Sequence, residues 1–112
     1  YLLGVEPRAG GMALSPHLPD GLPWMNARRV RVGPHTVDLE MVGDDMGRRV
    51  TVINIGDEPV VVQVDLPLPE GVRDVITDLS ATFRKSPGGE RRVVFKEETL
   101  KPGKELSFAA IW

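Results

Sequence analysis

The chain has 112 residues, 14 Lys and Arg against 16 Asp and Glu, and no cysteine. At about 100–200 residues per domain there is room for one domain, and the near-balanced charge excludes a generally basic nucleic-acid binder and a disordered acidic tail. The cysteine count excludes disulfide scaffolds, thiolate metal sites and cysteine nucleophiles together.

Twelve glycines and ten prolines fall between apolar runs and punctuate a turn-rich fold. Fifteen valines, four isoleucines and five threonines favour strands. Tyr1 to Val5 and Asp74 to Leu79 are the only stretches able to carry a helical turn. Gly10-Gly11 opens an extended piece, Met12 to Ser15. Pro16, Pro19 and Pro23 then exclude a helix interior, because each lacks an N–H and its ring clashes with the preceding turn. They predict an extended, braced connection.

Trp24 to Val32 reads as a half-buried strand, Val30 and Val32 alternating with Arg29 and Arg31. Gly33-Pro34 turns it into Thr36 to Val42, where Val37, Leu39 and Met41 oppose Asp38 and Glu40, so a hairpin is predicted. Gly43 to Gly47 is a second turn. Val50 to Ile55 is the next strand, its inward face left open by the adjacent Val52 and Ile53. After Gly56-Asp57-Glu58-Pro59, the residues Val60, Val62, Val64, Leu66 and Leu68 alternate in the cleanest strand of the chain. Pro69-Glu70-Gly71 ends it and Val72 to Thr77 is a short strand. Ala81 to Lys85 and Arg92 to Lys96 flank a tip at Ser86-Pro87-Gly88-Gly89. Beyond the turn Lys101-Pro102-Gly103-Lys104, the residues Leu106, Phe108, Ala110 and Trp112 share one face.

Turn signals roughly every 8–12 residues predict an all-β domain over residues 1–112, an antiparallel two-sheet β-sandwich of about eight short strands. Its expected core contains Val37, Leu39, Val62, Val64, Leu66, Phe95, Leu106 and Phe108, and residues 1–9 read as a lead-in.

Little in the chain points to chemistry. His17 and His35 lack the close spacing of a metal pair and read as solvated or hydrogen-bonded loop residues, so neither a metal nor a cofactor is expected. The carboxylate pairs Asp44-Asp45 and Asp57-Glu58 sit in turn sequences, and Glu97-Glu98 ends a strand with its side chains on opposite faces. None has the pocket context that glycosidase pairs need. No serine carries a Gly-x-Ser-x-Gly elbow, and Gly10-Gly11 and Gly88-Gly89 lack the residues that complete a phosphate loop. The basic groups Arg28-Arg29-Arg31, Arg48-Arg49, Arg84-Lys85 and Arg91-Arg92 would make one stripe if their strands were neighbours. With 5% aromatic residues, a solvated face paired with Asp38, Glu40 and Asp65 is the favoured reading, and no nucleic-acid partner is expected. Phe83, Phe95 and Phe108 read as core, Trp112 as core or subunit contact, and Trp24 stands between interface and ligand.

The first third of the chain carries a pattern. Leu2-Leu3-Gly4-Val5-Glu6-Pro7 is followed by Met12-Ala13-Leu14-Ser15-Pro16-His17-Leu18-Pro19, then Ala27-Arg28-Arg29-Val30-Arg31-Val32-Gly33 and Val37-Asp38-Leu39. This resembles the C-terminal region of bacterial amylo-α-1,6-glucosidase (glycogen-debranching-like) proteins. More broadly it is similar to the tail of (α/α)6-barrel glycosidases, α-L-rhamnosidases included. The resemblance implies a small β-sandwich after a helical catalytic barrel, with the catalytic acid and base upstream of Tyr1 and none in this chain. The missing initiator Met fits a C-terminal fragment, and a cytoplasmic parent enzyme is expected.

The resulting expectation is a non-catalytic accessory domain of a glycoside hydrolase that packs against the upstream catalytic domain of the same chain. Leu2, Leu3, Leu18, Leu22 and Trp24 are the expected contact residues, on an apolar edge stiffened by prolines. A carbohydrate-binding module using Trp24 or Trp112, with an oligosaccharide or polysaccharide as ligand, is one alternative. An immunoglobulin-like interaction domain is another. No run approaches 18 apolar residues, so no membrane-spanning helix is expected.

Overall fold

The structure, a computed structural model, describes residues 5–8, 10–15, 24–44, 47–68, 74–85, 87–89 and 91–112. Alternating apolar residues between glycine, proline and acidic turns give eleven strands among them: β1 (Val5–Arg8), β2 (Gly11–Leu14), β3 (Trp24–Val32), β4 (His35–Asp44), β5 (Gly47–Asn54), β6 (Val60–Pro67), β7 (Ile76–Thr77), β8 (Ala81–Lys85), β9 (Arg91–Phe95), β10 (Glu98–Leu100) and β11 (Glu105–Ile111). The first sheet runs β1-β2-β6-β9-β8, with β10 also on β6, and the second runs β3-β4-β5-β11-β7. There is no helix among the described residues, so none is long and apolar enough to cross a membrane.

The strands number eleven rather than about eight: β1 and β10 are too short to show a period, whereas β7 lies within the short strand expected over Val72 to Thr77. Val5–Arg8 is extended and pairs with β2, and Ile76–Thr77 is a two-residue strand on β11, where a helical turn was allowed. One strand pair also departs from the antiparallel expectation. β2 runs parallel to β6, from Gly11 opposite Val61 to Leu14 opposite Val64. Side-chain alternation is the same in both directions, so the sequence carries no sign of it.

The inner faces of the two sheets share one buried cluster. The first sheet contributes Met12, Leu14, Val60, Val62, Val64, Leu66, Val93 and Phe95; the second contributes Val37, Leu39, Met41, Val50, Val52, Phe108 and Ala110. Phe95 and Phe108 meet edge to face across the gap, with ring centroids 5.4 Å apart and planes at 71°. Each fully buried Val, Leu or Phe side chain stabilises the fold by about 1.5–3 kcal/mol relative to exposure.

Seven of the eight expected core residues are buried, and Leu106 is half-buried against the cluster. The inward face of β5 is Val50, Val52 and Asn54, with Ile53 turned the other way. Phe83 is a correction, being 53% exposed. It lies opposite the buried Val93, so it has inward parity, but β8 is an edge strand and only Ala81 of that strand packs on the core.

Candidate functional site

Cross-strand pairing builds an apolar row on the outer face of the second sheet. Trp24 is opposite Val42, Val42 opposite Arg49, and Arg49 opposite Ala109. Two residues along β11, Ile111 lies opposite Gly47 on one side and Ile76 on the other. Its exposed apolar members are Ile76 at 72%, Trp24 at 56%, Ile111 at 53% and Val42 at 42%, with the exposed Arg49 among them. A hollow of about 250 Å³ between Val42, Arg49, Ala109 and Ile111 lies within this row. Beside it runs a polar row, Asn26 opposite Glu40, Glu40 opposite Thr51 and Thr51 opposite Ser107, with the last two hydroxyls hydrogen-bonded at 2.9 Å.

Of the five expected contact residues, Trp24 is the one described, and it lies in this exposed row. Leu2, Leu3, Leu18 and Leu22 lie outside the described residues, as do His17 and the three braced prolines. Trp112 is half-buried against the core, and the Arg48 guanidinium carbon stands 5.4 Å from its ring centroid.

A second feature lies further along β3. The pairing of β3 with β4 shifts between Ala27 and Val30, so Arg28 and Arg29 together face Asp38. Arg29 adopts φ 54°, the left-handed region, and is the non-glycine residue that does so among the described residues. Its N–H donates to Asp38 Oδ1 at 2.8 Å, which satisfies the donor that the bulge removes from the ladder. Arg29 and Arg31 then line a hollow of about 780 Å³ with Thr36, Gly56, Asp57 and Glu58. The Asp57-Glu58 pair is therefore exposed on a turn beside two arginines, not enclosed with a reacting centre.

On the far side of the Gly33-Pro34 turn, His35 is 8% exposed and its Nδ1 has no hydrogen-bond partner. It faces a hollow of about 640 Å³ that also touches Arg8, Gly10 and Glu58. This corrects the expectation of a solvated or hydrogen-bonded loop histidine: opposite Val32 at inward parity, His35 is covered by the sheet. The basic residues do not make one stripe either. Arg28, Arg29, Arg31, Arg48 and Arg49 belong to the second sheet, and Arg84, Lys85, Arg91 and Arg92 to the first. The expected acid–base pairing holds for Arg92, whose Nε donates to Asp65 Oδ1 at 2.8 Å.

Sequence reasoning missed Asn54, a polar residue at a core position. It is 1% exposed and fully hydrogen-bonded, which marks it as a structural clamp. Its place on the inward parity of β5, just before a turn, is the signal that was available. Among the described residues no group of three His, Asp or Glu side chains is placed to hold a metal ion. No protein-family model, no curated protein and no solved structure matches the chain.

Proposed function

We propose that the chain is a non-catalytic accessory β-sandwich of a glycoside hydrolase of the amylo-α-1,6-glucosidase-like kind, packing against a helical-barrel catalytic domain and stabilising it. The observation that carries this reading is the set of exposed apolar side chains Trp24, Val42, Ile111 and Ile76, which reaches from one edge of the sheet to the other with Arg49 as the charged member among them. Such a row on a soluble surface is best explained by a partner that covers it, since each square ångström of apolar area removed from water is worth about 25 cal/mol. The resemblance of residues 1–39 supplies the identity of the partner, and the cytoplasmic location of the parent enzyme belongs to the same proposal.

The test compares one substitution in two contexts. Ile111→Lys should leave the melting midpoint of the isolated chain unchanged, because the residue is exposed there, and should lower that of the enzyme carrying the catalytic barrel. Equal midpoints in the second context would remove the docking reading.

One observation favours a second reading, a carbohydrate-binding surface. Asn26 and Glu40 stand on the same face as Trp24, one row away, and would give a stacked sugar its hydrogen-bond partners. Titration with glycogen, maltooligosaccharides and rhamnose, followed by tryptophan fluorescence, separates the two. Saturable binding abolished by Trp24→Ala would replace docking by sugar recognition.

A further inference from the structure

The outer face of the first sheet has the opposite chemistry. In the β8–β9 hairpin Arg84 lies directly opposite Arg92, and Lys85 directly opposite Arg91. Like charges opposite one another weaken strand pairing; of the two pairs, Arg84 with Arg92 shares the outward parity of Asp65 and Val94, and Lys85 with Arg91 the parity of the buried Val93 and Phe95. Asp65 on β6 accepts from Arg92, and on β1 Arg8 stands 3.5 Å from Glu6. Arg8, Arg84, Lys85 and Arg92, with Asp65 and Glu6, line a hollow of about 370 Å³ that spans β1, β2, β6, β9 and β8. Among the described residues, four cations against two carboxylates leave an excess of two positive charges in this hollow, on a chain of net charge −2.

We propose that this cradle binds an anionic saccharide, a sugar chain bearing phosphate, sulfate or carboxylate groups. The oxyanion sits against Arg84, where it relieves the like-charge opposition to Arg92, and guanidinium forks suit its paired oxygens. Sugar hydroxyls meet Gln63, Ser15 and Asp65, which line the same hollow. Among the described residues no aromatic side chain lines it, so nucleic-acid bases find no stacking platform there. Among the described residues Ala13 and Val94 are its only apolar members, too little for the pockets that anchor a peptide. The cradle is on the other sheet from Trp24, so it stands or falls independently of the docking face.

The experiment is calorimetric titration of the 112-residue chain at one fixed ionic strength. The probes are an oligogalacturonide, a sulfated dextran fragment, a neutral maltooligosaccharide and a single-stranded oligonucleotide of matched charge. At least one of the two anionic saccharides should bind, the neutral one should not, and the tighter of the two names the oxyanion. Arg84→Ser with Lys85→Ser should weaken that binding at least tenfold, whereas Arg28→Ser with Arg31→Ser on the other sheet should change it less than twofold. Amide chemical-shift changes in the unmutated chain should fall on residues 82–85 and 92–94, which locates the site without any substitution. Binding of neither anionic saccharide, equal loss in both double variants, tighter binding of the oligonucleotide, or shift changes confined to the second sheet would each overturn the proposal.

Discussion

The side-chain amide of Asn54 donates to the carbonyl of Leu100 at 2.8 Å, joining the end of β5 to the end of β10 across 46 positions of sequence. Its second amide hydrogen goes to the Glu58 carbonyl at 2.8 Å, and its Oδ1 accepts from the Gly56 N–H at 3.0 Å. The backbone completes the clamp, with the Asn54 N–H donating to Lys104 and its carbonyl accepting from Gly103. Asn54→Leu fits the apolar surroundings but strands two carbonyls and one N–H. The expected loss is about 3 kcal/mol, read as a lower urea midpoint. A midpoint equal to the parent's would show that water satisfies the freed groups.

Two glycine substitutions should differ sharply. A Cβ on Gly11 would run into the Val61 carbonyl oxygen, with the Val61 carbonyl carbon and nitrogen each at 2.6 Å, so β2 would have to part from β6. At Gly33 a Cβ meets nothing within 4 Å, and the cost is only that of holding φ +59°. Gly33→Ala should therefore lose about 1 kcal/mol, and Gly11→Ala several times more or fold not at all. Circular dichroism melts of the two variants make the comparison.

Core and edge should separate in the same way. Val64 is fully buried, and Val64→Ala should cost on the order of 1–3 kcal/mol through lost methyls and a cavity. Phe83→Ala, at an exposed edge, should stay within about 0.5 kcal/mol despite removing a larger side chain. A Phe83 effect as large as that of Val64 would place the ring back in the core.

At the bulge, Arg29→Gly releases a non-glycine residue from the left-handed region and should raise stability by about 1 kcal/mol. Asp38→Ala removes the acceptor for the Arg29 N–H and should lower it by about 1 kcal/mol. If both variants melt at the parent temperature, the bulge is not under strain.

Purified chain should not turn over a chromogenic α-glucoside or α-rhamnoside. The carboxylate pair that is fully described on one turn, Asp57-Glu58, faces solvent beside Arg29 and Arg31. Activity lost on substituting a single acidic residue would reverse this expectation.

The two-sheet plan was legible wherever a strand was long enough to repeat its alternation. Val60 to Leu68 alternates buried and half-buried residues throughout, as its sequence says. The short strands were not legible. β10 has three residues and follows a place where three residues separate Val94 from Glu98 but only two separate Val62 from Asp65, a one-residue bulge against β6. Alternation fails across such a step, so Glu97-Glu98 looked like a strand end. Phe83 was misplaced because parity decides which way a side chain points, not whether anything covers it. The apolar row was half legible: Trp24 stood out alone, but only the register joins it to Val42, Ile111 and Ile76.

β11 occupies an interior place in the second sheet, pairing β5 from Glu105 opposite Ile53 to Ile111 opposite Gly47. On a chain leaving the ribosome the β3-β4-β5 segment is complete at Asn54, yet the free edge of β5 must wait for about fifty further residues before β11 can cover it. Such non-local closure places folding in the millisecond-to-second range. During that interval β5 is a template for a neighbouring chain, the ordinary route from nascent strand to aggregate. Arg48 and Arg49 stand at the start of that strand, beside the β-branched run Val50 to Ile53. Charged residues flanking such a run are of the kind that holds neighbouring chains apart before the run is covered.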